Sequence, residues 1–165
     1  IPINNLNQKE YRKNIGIFYN EQDIFEGTLY ENICMGNESI TPADIMKHAE
    51  MLEIKEFISL LPEGLYTPLQ PTGKGLSTIM AKKILLLRAI VHQPELLVLD
   101  EPFELAGAES SKKISKYLID LPNPTCMIVS GYIPFAKRAD LIIWLEKGKI
   151  KHIGKPETIL PLVIS

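Results

Sequence analysis

Two spacings of apolar residues alternate along the chain. Short continuous runs, Ile15-Gly-Ile-Phe, Leu96-Leu-Val-Leu and Thr125-Cys-Met-Ile-Val, have the length and β-branched content of buried strands. Between them the apolar positions spread out. Ile45, Ala49, Leu52, Phe57, Ile58 and Leu61 recur at helical spacing and fit two helices. Thr41 followed by Pro42 marks the start of the first, as an N-cap and an opening proline. Ser77 is placed to cap a further helix with apolar positions at Ile84, Leu87 and Ile90. The segment from Phe25 to Asn32 is a Gly-punctuated turn running into a short apolar stretch, and Tyr66 to Gly75 is a Pro/Gly-rich loop. Past the middle strand a polar helix is expected over Glu109–Leu118. A buried strand follows over Thr125–Ser130, and another over Ala139–Leu145. Gly148 then turns the chain back through Lys149–Ile153, and a last helix starts at Pro156. Buried strands alternating with helices predict an α/β domain with a mostly parallel sheet.

Composition narrows the function classes. The 165 residues carry 18 Lys and Arg against 20 Asp and Glu, a net charge of −2. That balance lacks the basic footprint of a nucleic-acid binder. With 45% hydrophobic and 23% charged residues, the chain has the profile of a globular domain. No apolar run reaches the ~18 residues that a membrane helix needs. Cys34 and Cys126 lie in apolar surroundings and are expected to be buried, reduced thiols. His48, His92 and His152 are far apart, with no metal-ligand spacing, and are expected to be surface or satisfied histidines.

Chemistry concentrates at Leu96-Leu-Val-Leu-Asp-Glu-Pro. A strand ending in Asp100 and Glu101 sets two carboxylates at the sheet edge where open α/β folds bind ligands. The same pair can also serve the fold alone, because Asp caps turns and Pro102 fixes the direction of the chain.

Further motifs flank that strand in a fixed order. Ile24-Phe-Glu-Gly-Thr-Leu-Tyr-Glu-Asn-Ile fits the pattern LF-x-GT-x-x-ENI. Phe57-Ile-Ser-Leu-Leu-Pro-Glu-Gly-Leu-Tyr-Thr fits FI-x-x-LP-x-G-x-x-T, and Gly73-Lys-Gly-Leu-Ser frames a signature helix that includes Arg88-Ala89. Ala139-Asp140 to Gly148-Lys149-Ile150 supplies the closing pattern. Together these motifs resemble the nucleotide-binding domain of ABC transporters, of the exporter and peptide- or toxin-secretion type, over nearly the whole chain. The resemblance implies a partial RecA-like P-loop NTPase core, residues 1–35 and 95–165, with an α-helical subdomain inserted at 36–94, within a single domain spanning 1–165 and incomplete at its N-terminus. It implies ATP and Mg²⁺ as cofactors, with Asp100 serving the metal and Glu101 orienting the attacking water. Asn20 and Gln22 stand for the Q-loop amide, and Ser77 for the signature contact. The implied partners are a second ABC cassette and a transmembrane domain, at the inner face of the membrane in the cytoplasm.

The chain departs from the family pattern at several points. It contains no G-x-x-x-x-G-K followed by Ser or Thr, the loop whose N–H groups cradle phosphates. The Q-loop Gln position holds Asn20. The signature reads Leu76-Ser-Thr-Ile-Met, with β-branched residues where glycines let backbone approach a phosphate. The D-loop reads Glu104-Leu-Ala-Gly, without its Asp, and the switch-His position, nine before Asp140, is Gly131. ATP hydrolysis by this chain alone is therefore not expected. Two readings stay open: an ATP-coupled transport component with altered nucleotide sites, and a catalytically inactive cassette serving interaction or assembly.

Overall fold

The computed structural model describes residues 7–19, 21–103, 107–122 and 124–164. The chain divides into two compact units, Ile1–Ser130 and Gly131–Ser165. In the first, helix α1 (Gln8–Lys13) leads into β1 (Ile15–Phe18). A two-residue strand β2 (Gly27–Thr28) then opens α2 (Leu29–Cys34), followed by α3 (Pro42–Met51), α4 (Lys55–Leu60), the short β3 (Pro68–Leu69) and α5 (Thr78–Val91). Strand β4 (Leu96–Asp100), α6 (Ala108–Ile119) and β5 (Thr125–Val129) complete it.

The main sheet has strand order β1-β4-β5, and both pairings are parallel. Its register sets Phe18 beside Leu99 and Asp100 beside Val129. The expected α/β fold with a parallel sheet is therefore present. One face of this sheet is closed by α5. Ile84, Leu85, Leu86, Leu87, Ala89, Ile90 and Val91 are all buried, so α5 is covered nearly all round and forms the centre of the unit. Its approach depends on Gly16, where a Cβ would overlap the Ala89 carbonyl oxygen.

The helix starts follow the local signals. Thr41 and Asp44 form a reciprocal capping box with Pro42 in the first turn, and Ser77 Oγ accepts the Met80 N–H at 3.1 Å. A second capping box, Thr28 with Glu31, turns the expected apolar stretch after Gly27 into helix α2. Along α3 and α4, Ile45, Ala49, Leu52 and Ile58 are buried as the periodicity required. Phe57 and Leu61 remain partly exposed.

Polar contacts join α3 to α6. The buried His48 bonds through Nδ1 to the Tyr117 hydroxyl. Burial holds the His48 pKa down and pushes Tyr117 up to about 12. Just past α3, Glu53 takes Lys113 at 2.7 Å and the Ser110 hydroxyl, both on α6, and stands 3.6 Å from the nearly buried Lys83 of α5. The hydrogen bonds from Lys113 and Ser110 hold the Glu53 carboxyl down to about 2.

In the second unit, α7 (Ile133–Ala136) precedes an antiparallel hairpin, β6 (Ile142–Glu146) and β7 (Lys149–Gly154), and α8 (Pro156–Ile164) packs Ile159 against Gly154. The Gly148 turn and the final helix match the sequence pattern. His152 stacks on Trp144 with ring centroids 5.3 Å apart. No helix among the described residues is long and apolar enough to cross a membrane.

Three expectations are corrected. Strand β5 is not buried: Met127 and Val129 are exposed, because among the described residues β5 lies at the end of the sheet, with a neighbouring strand on one side only. Strand β6 is not buried either, since Ile143 and Leu145 lie on the outer side of a two-stranded hairpin. Cys126 is exposed on β5 for the same reason, whereas Cys34 is buried as expected.

The Glu53 cluster gives a pH signature. A depressed carboxyl pKa contributes stability above its ordinary value of 4.5 and loses it as pH falls toward about 2. Glu53→Gln should destabilise by about 1 kcal/mol at pH 7, a value discounted for partial exposure. In urea titrations the gap between the two proteins should close on acidification across that window. A gap unchanged at low pH would refute the assignment.

Candidate functional site

The site begins at the C-terminal edge of the parallel sheet. Strand β4 is buried through Leu97 and Leu99 and delivers Asp100, then Glu101, at its end. Both are half-buried. Glu101 turns the chain with φ 46°, the left-handed region that non-glycine residues rarely adopt. Two hydrogen bonds hold it there. Its N–H donates to the Val129 carbonyl at 2.9 Å, and its carboxylate accepts from the Ser130 hydroxyl at 2.9 Å. A strained acidic residue fixed at the mouth of an α/β sheet is the arrangement expected of a functional position. Ser130 escaped the sequence reading; its place directly after a strand parallel to β4 was the available signal.

Because β1 runs parallel to β4, the chain leaving β1 emerges at the same edge. Gln22 lies there. Its Nε2 donates to the Ile17 carbonyl at 3.1 Å, and its Oε1 accepts the Tyr19 N–H at 3.4 Å. The side-chain amide is thus occupied by the backbone of β1. Asn20 lies outside the described residues, as does the D-loop segment 104–106. Ser77 is exposed at the start of α5 and caps that helix through the Met80 N–H. The structure therefore groups Asp100, Glu101 and Ser130, sets Gln22 on the same sheet edge, and assigns Ser77 to a separate element.

Donor chemistry at this edge suits Mg²⁺. That ion keeps several waters and takes one or two protein carboxylates, with substrate phosphates completing its shell. Asp100 and Glu101 meet that requirement. Among the described residues no group of three or more His, Cys, Asp or Glu could hold a metal ion on its own.

The segment after β1 is pinned to α5 by a buried pair that the sequence reading also missed. Asn32, with 0% exposure, accepts the Phe25 N–H at 3.0 Å and donates to the Phe25 and Thr28 carbonyls at 2.9 and 3.1 Å. Arg88 of α5 donates through Nε to the Asn32 carbonyl at 2.6 Å and through Nη2 to Asn32 Oδ1 at 3.0 Å. Its Nη1 reaches the Asp23 carbonyl at 3.3 Å, and the guanidinium lies 5.7 Å from the Phe25 ring centroid.

A family model described as ABC transporter matches residues 1–104. The chain belongs to the ABC transporter family. In family and fold it is an ATP-binding domain of the exporter type. ABC transporter B family member 1 of Arabidopsis thaliana is 32% identical over 159 residues, 96% of this chain and 12% of the relative. The transport/processing ATP-binding protein ComA of Streptococcus pneumoniae is 30% identical over 161 residues, 97% of this chain and 22% of the relative. A solved structure of a bacterial Atm1-family ABC exporter with ATP bound superposes with a TM-score of 0.85 at 22% identity, covering 97% of this chain and 28% of that one. The chain thus spans under a third of the length of each of these proteins.

The ABC domain's Asn32–Arg88 pair yields a direct expectation. Asn32→Ala leaves the Phe25 and Thr28 backbone groups without their partner and removes one acceptor of the part-buried Arg88 guanidinium, and should cost about 3 kcal/mol in chemical denaturation. A loss within about 0.5 kcal/mol would show that these groups find other partners.

Proposed function

We propose that this chain is the nucleotide-handling part of an ATP-driven exporter, and that Asp100 and Glu101 carry what nucleotide chemistry it performs. The observation that carries this reading is the end of β4, where Glu101 is held in a left-handed turn by Val129 and Ser130 beside the Asp100 carboxylate. Asp100 is assigned to Mg²⁺, and Glu101 to orienting water at a terminal phosphate, with Ser130 fixing the carboxylate. When bound, Mg²⁺ neutralises charge building on the phosphate oxygens.

Ser77 offers its hydroxyl and the start of α5 to a nucleotide held by a second cassette. In this structure that hydroxyl is occupied in capping α5, so contact with a phosphate requires a shared or exchanged bond. Gln22, and Asn20 beside it, are assigned to the region that senses the metal and the transport partner. Residues 36–94 are assigned as a helical subdomain facing a transmembrane domain, at the cytoplasmic surface of the membrane. Thr78, Ile79 and Gly131 stand where the family pattern has two glycines and a histidine. ATP turnover is accordingly assigned to a pair of unequal cassettes.

The test is Mg-ATP binding and turnover by the native polypeptide that carries this chain, paired with its partner cassette. Asp100→Ala should weaken Mg-ATP binding at least about tenfold. Glu101→Gln should keep binding while lowering turnover about 100-fold or more. Mg-ATP binding untouched by Asp100→Ala overturns the metal assignment. Absence of any binding overturns the whole reading and leaves a cassette that serves assembly alone.

A further inference from the structure

A cavity of about 200 Å³ opens where α3, α5 and α6 meet the loop that leads into β5. None of its lining residues belongs to the sheet edge that carries Asp100 and Glu101. Ile90, Pro94 and Leu121 form apolar wall, and Lys47, His48 and Tyr117 supply polar groups. Ile90 and Pro94 are buried, so that part of the wall is fixed by the packing of α5. An apolar cavity of about 150 Å³ takes up one benzene ring. This one has room for a ring with a small substituent.

Its polar groups are arranged as donors. His48 is 7% exposed, and its Nδ1 bonds to the Tyr117 hydroxyl. That hydroxyl stays protonated, with its pKa pushed up to about 12 by burial, and has no other acceptor among the described residues. It therefore donates to Nδ1, and the neutral ring carries its own proton on Nε2. Among the described residues no protein atom accepts that proton, and no buried side-chain nitrogen or oxygen lacks a partner, so the Nε2–H reaches open space. Lys47, the preceding residue, lines the same cavity, and its charge disfavours protonation of the His48 ring. Lys47 makes no salt bridge among the described residues. The acidic groups nearby are committed elsewhere. Asp44 is taken up in the capping box with Thr41, and Asp120, which also lines the cavity, already has a partner within the chain. Two donors, one of them a cation, thus face a space with no uncommitted anion.

We infer that this cavity is a binding site for a small aromatic carboxylate, its ring against Ile90, Pro94 and Leu121 and its oxygens on His48 Nε2 and the Lys47 ammonium. Hydrogen bonds to a carboxylate are about twice as strong as those between neutral groups, and the one to Lys47 is an ion pair as well. A neutral ring of the same size gains the apolar burial alone. The bound carboxylate touches α3, α5 and the loop after α6 together, and so clamps elements that are joined otherwise by the His48–Tyr117 and Glu53–Lys113 contacts. The inference does not depend on nucleotide binding, so it stands or falls separately from the proposed function.

The probe is benzoate, titrated at millimolar concentration into the full ¹⁵N-labelled chain, with benzyl alcohol and inorganic phosphate as comparisons. Benzoate should move the ring nitrogen resonances of His48 and the amide resonance of Leu121, and bind at least about tenfold tighter than benzyl alcohol. Lys47 is exposed, so Lys47→Met keeps its apolar stem without disturbing the core. That change should weaken benzoate about tenfold, and Lys47→Arg should restore it. Leu121→Trp fills the space of the ring and should abolish binding while leaving Lys47 in place. Equal binding of benzoate and benzyl alcohol, or no loss in Lys47→Met, overturns the carboxylate assignment. Unchanged binding in Leu121→Trp, or shifts that phosphate reproduces, overturns the cavity and leaves a surface anion contact at Lys47. Absence of benzoate binding at millimolar concentration overturns the proposal outright.

Discussion

Asn32 and Arg88 form the contact on which the rest of the first unit depends. A carboxamide with no solvent exposure must place both of its ends on partners, and here it serves the backbone of Phe25 and Thr28 and the guanidinium of Arg88 together. The loop from Asp23 to Thr28 thereby becomes a fixed strap on α5. The strap begins at Asp23, directly after Gln22, whose own amide is held by the β1 backbone. Since α5 also packs against β1 through Gly16, one helix sets both the sheet and the loop that follows it.

The site shows how a fold can aim an acidic residue without a dedicated cluster of ligands. Buried residues along β4 hold the strand rigid up to Asp100, and the neighbouring β5 then supplies both partners of Glu101, a carbonyl from Val129 and a hydroxyl from Ser130. Left-handed backbone at a glutamate costs on the order of 1 kcal/mol, and those two bonds offset it. The strain and its compensation sit in adjacent parallel strands, so the position of the carboxylate depends on the pairing of β4 with β5. Any segment that stabilised the exposed side of β5 would also steady Glu101.

Electrostatics ties α6 to the helices before it. Glu53 faces Lys113 and Ser110 of α6 and approaches Lys83 of α5, while His48 meets Tyr117 one helical stretch away. These contacts link residues distant in sequence, and none has a local motif. Their chemistry is visible in the sequence only as ordinary surface-type residues.

Local and repetitive signals carried the fold. The runs at Ile15 and Leu96 became the paired strands, the Thr41 and Ser77 caps started helices, and the ordered motifs around Asp100 pointed to the ABC transporter family. Each of these is a property of neighbouring residues, so the linear chain contains it. The sequence alone did not determine what each side chain touches. An apolar strand such as Thr125–Val129 has the same composition at the edge of a sheet as in its centre, and only the strand order leaves Met127, Val129 and Cys126 exposed. Gln22 was legible as an amide near the Q-loop position, but only the return of the chain turned it onto the β1 backbone. Asn32 stood in plain view within its motif, and its role needed Arg88, brought 56 residues back along the chain by α5. Burial and partnership are set by contacts between distant segments, and those exist only once the sheet has closed on α5.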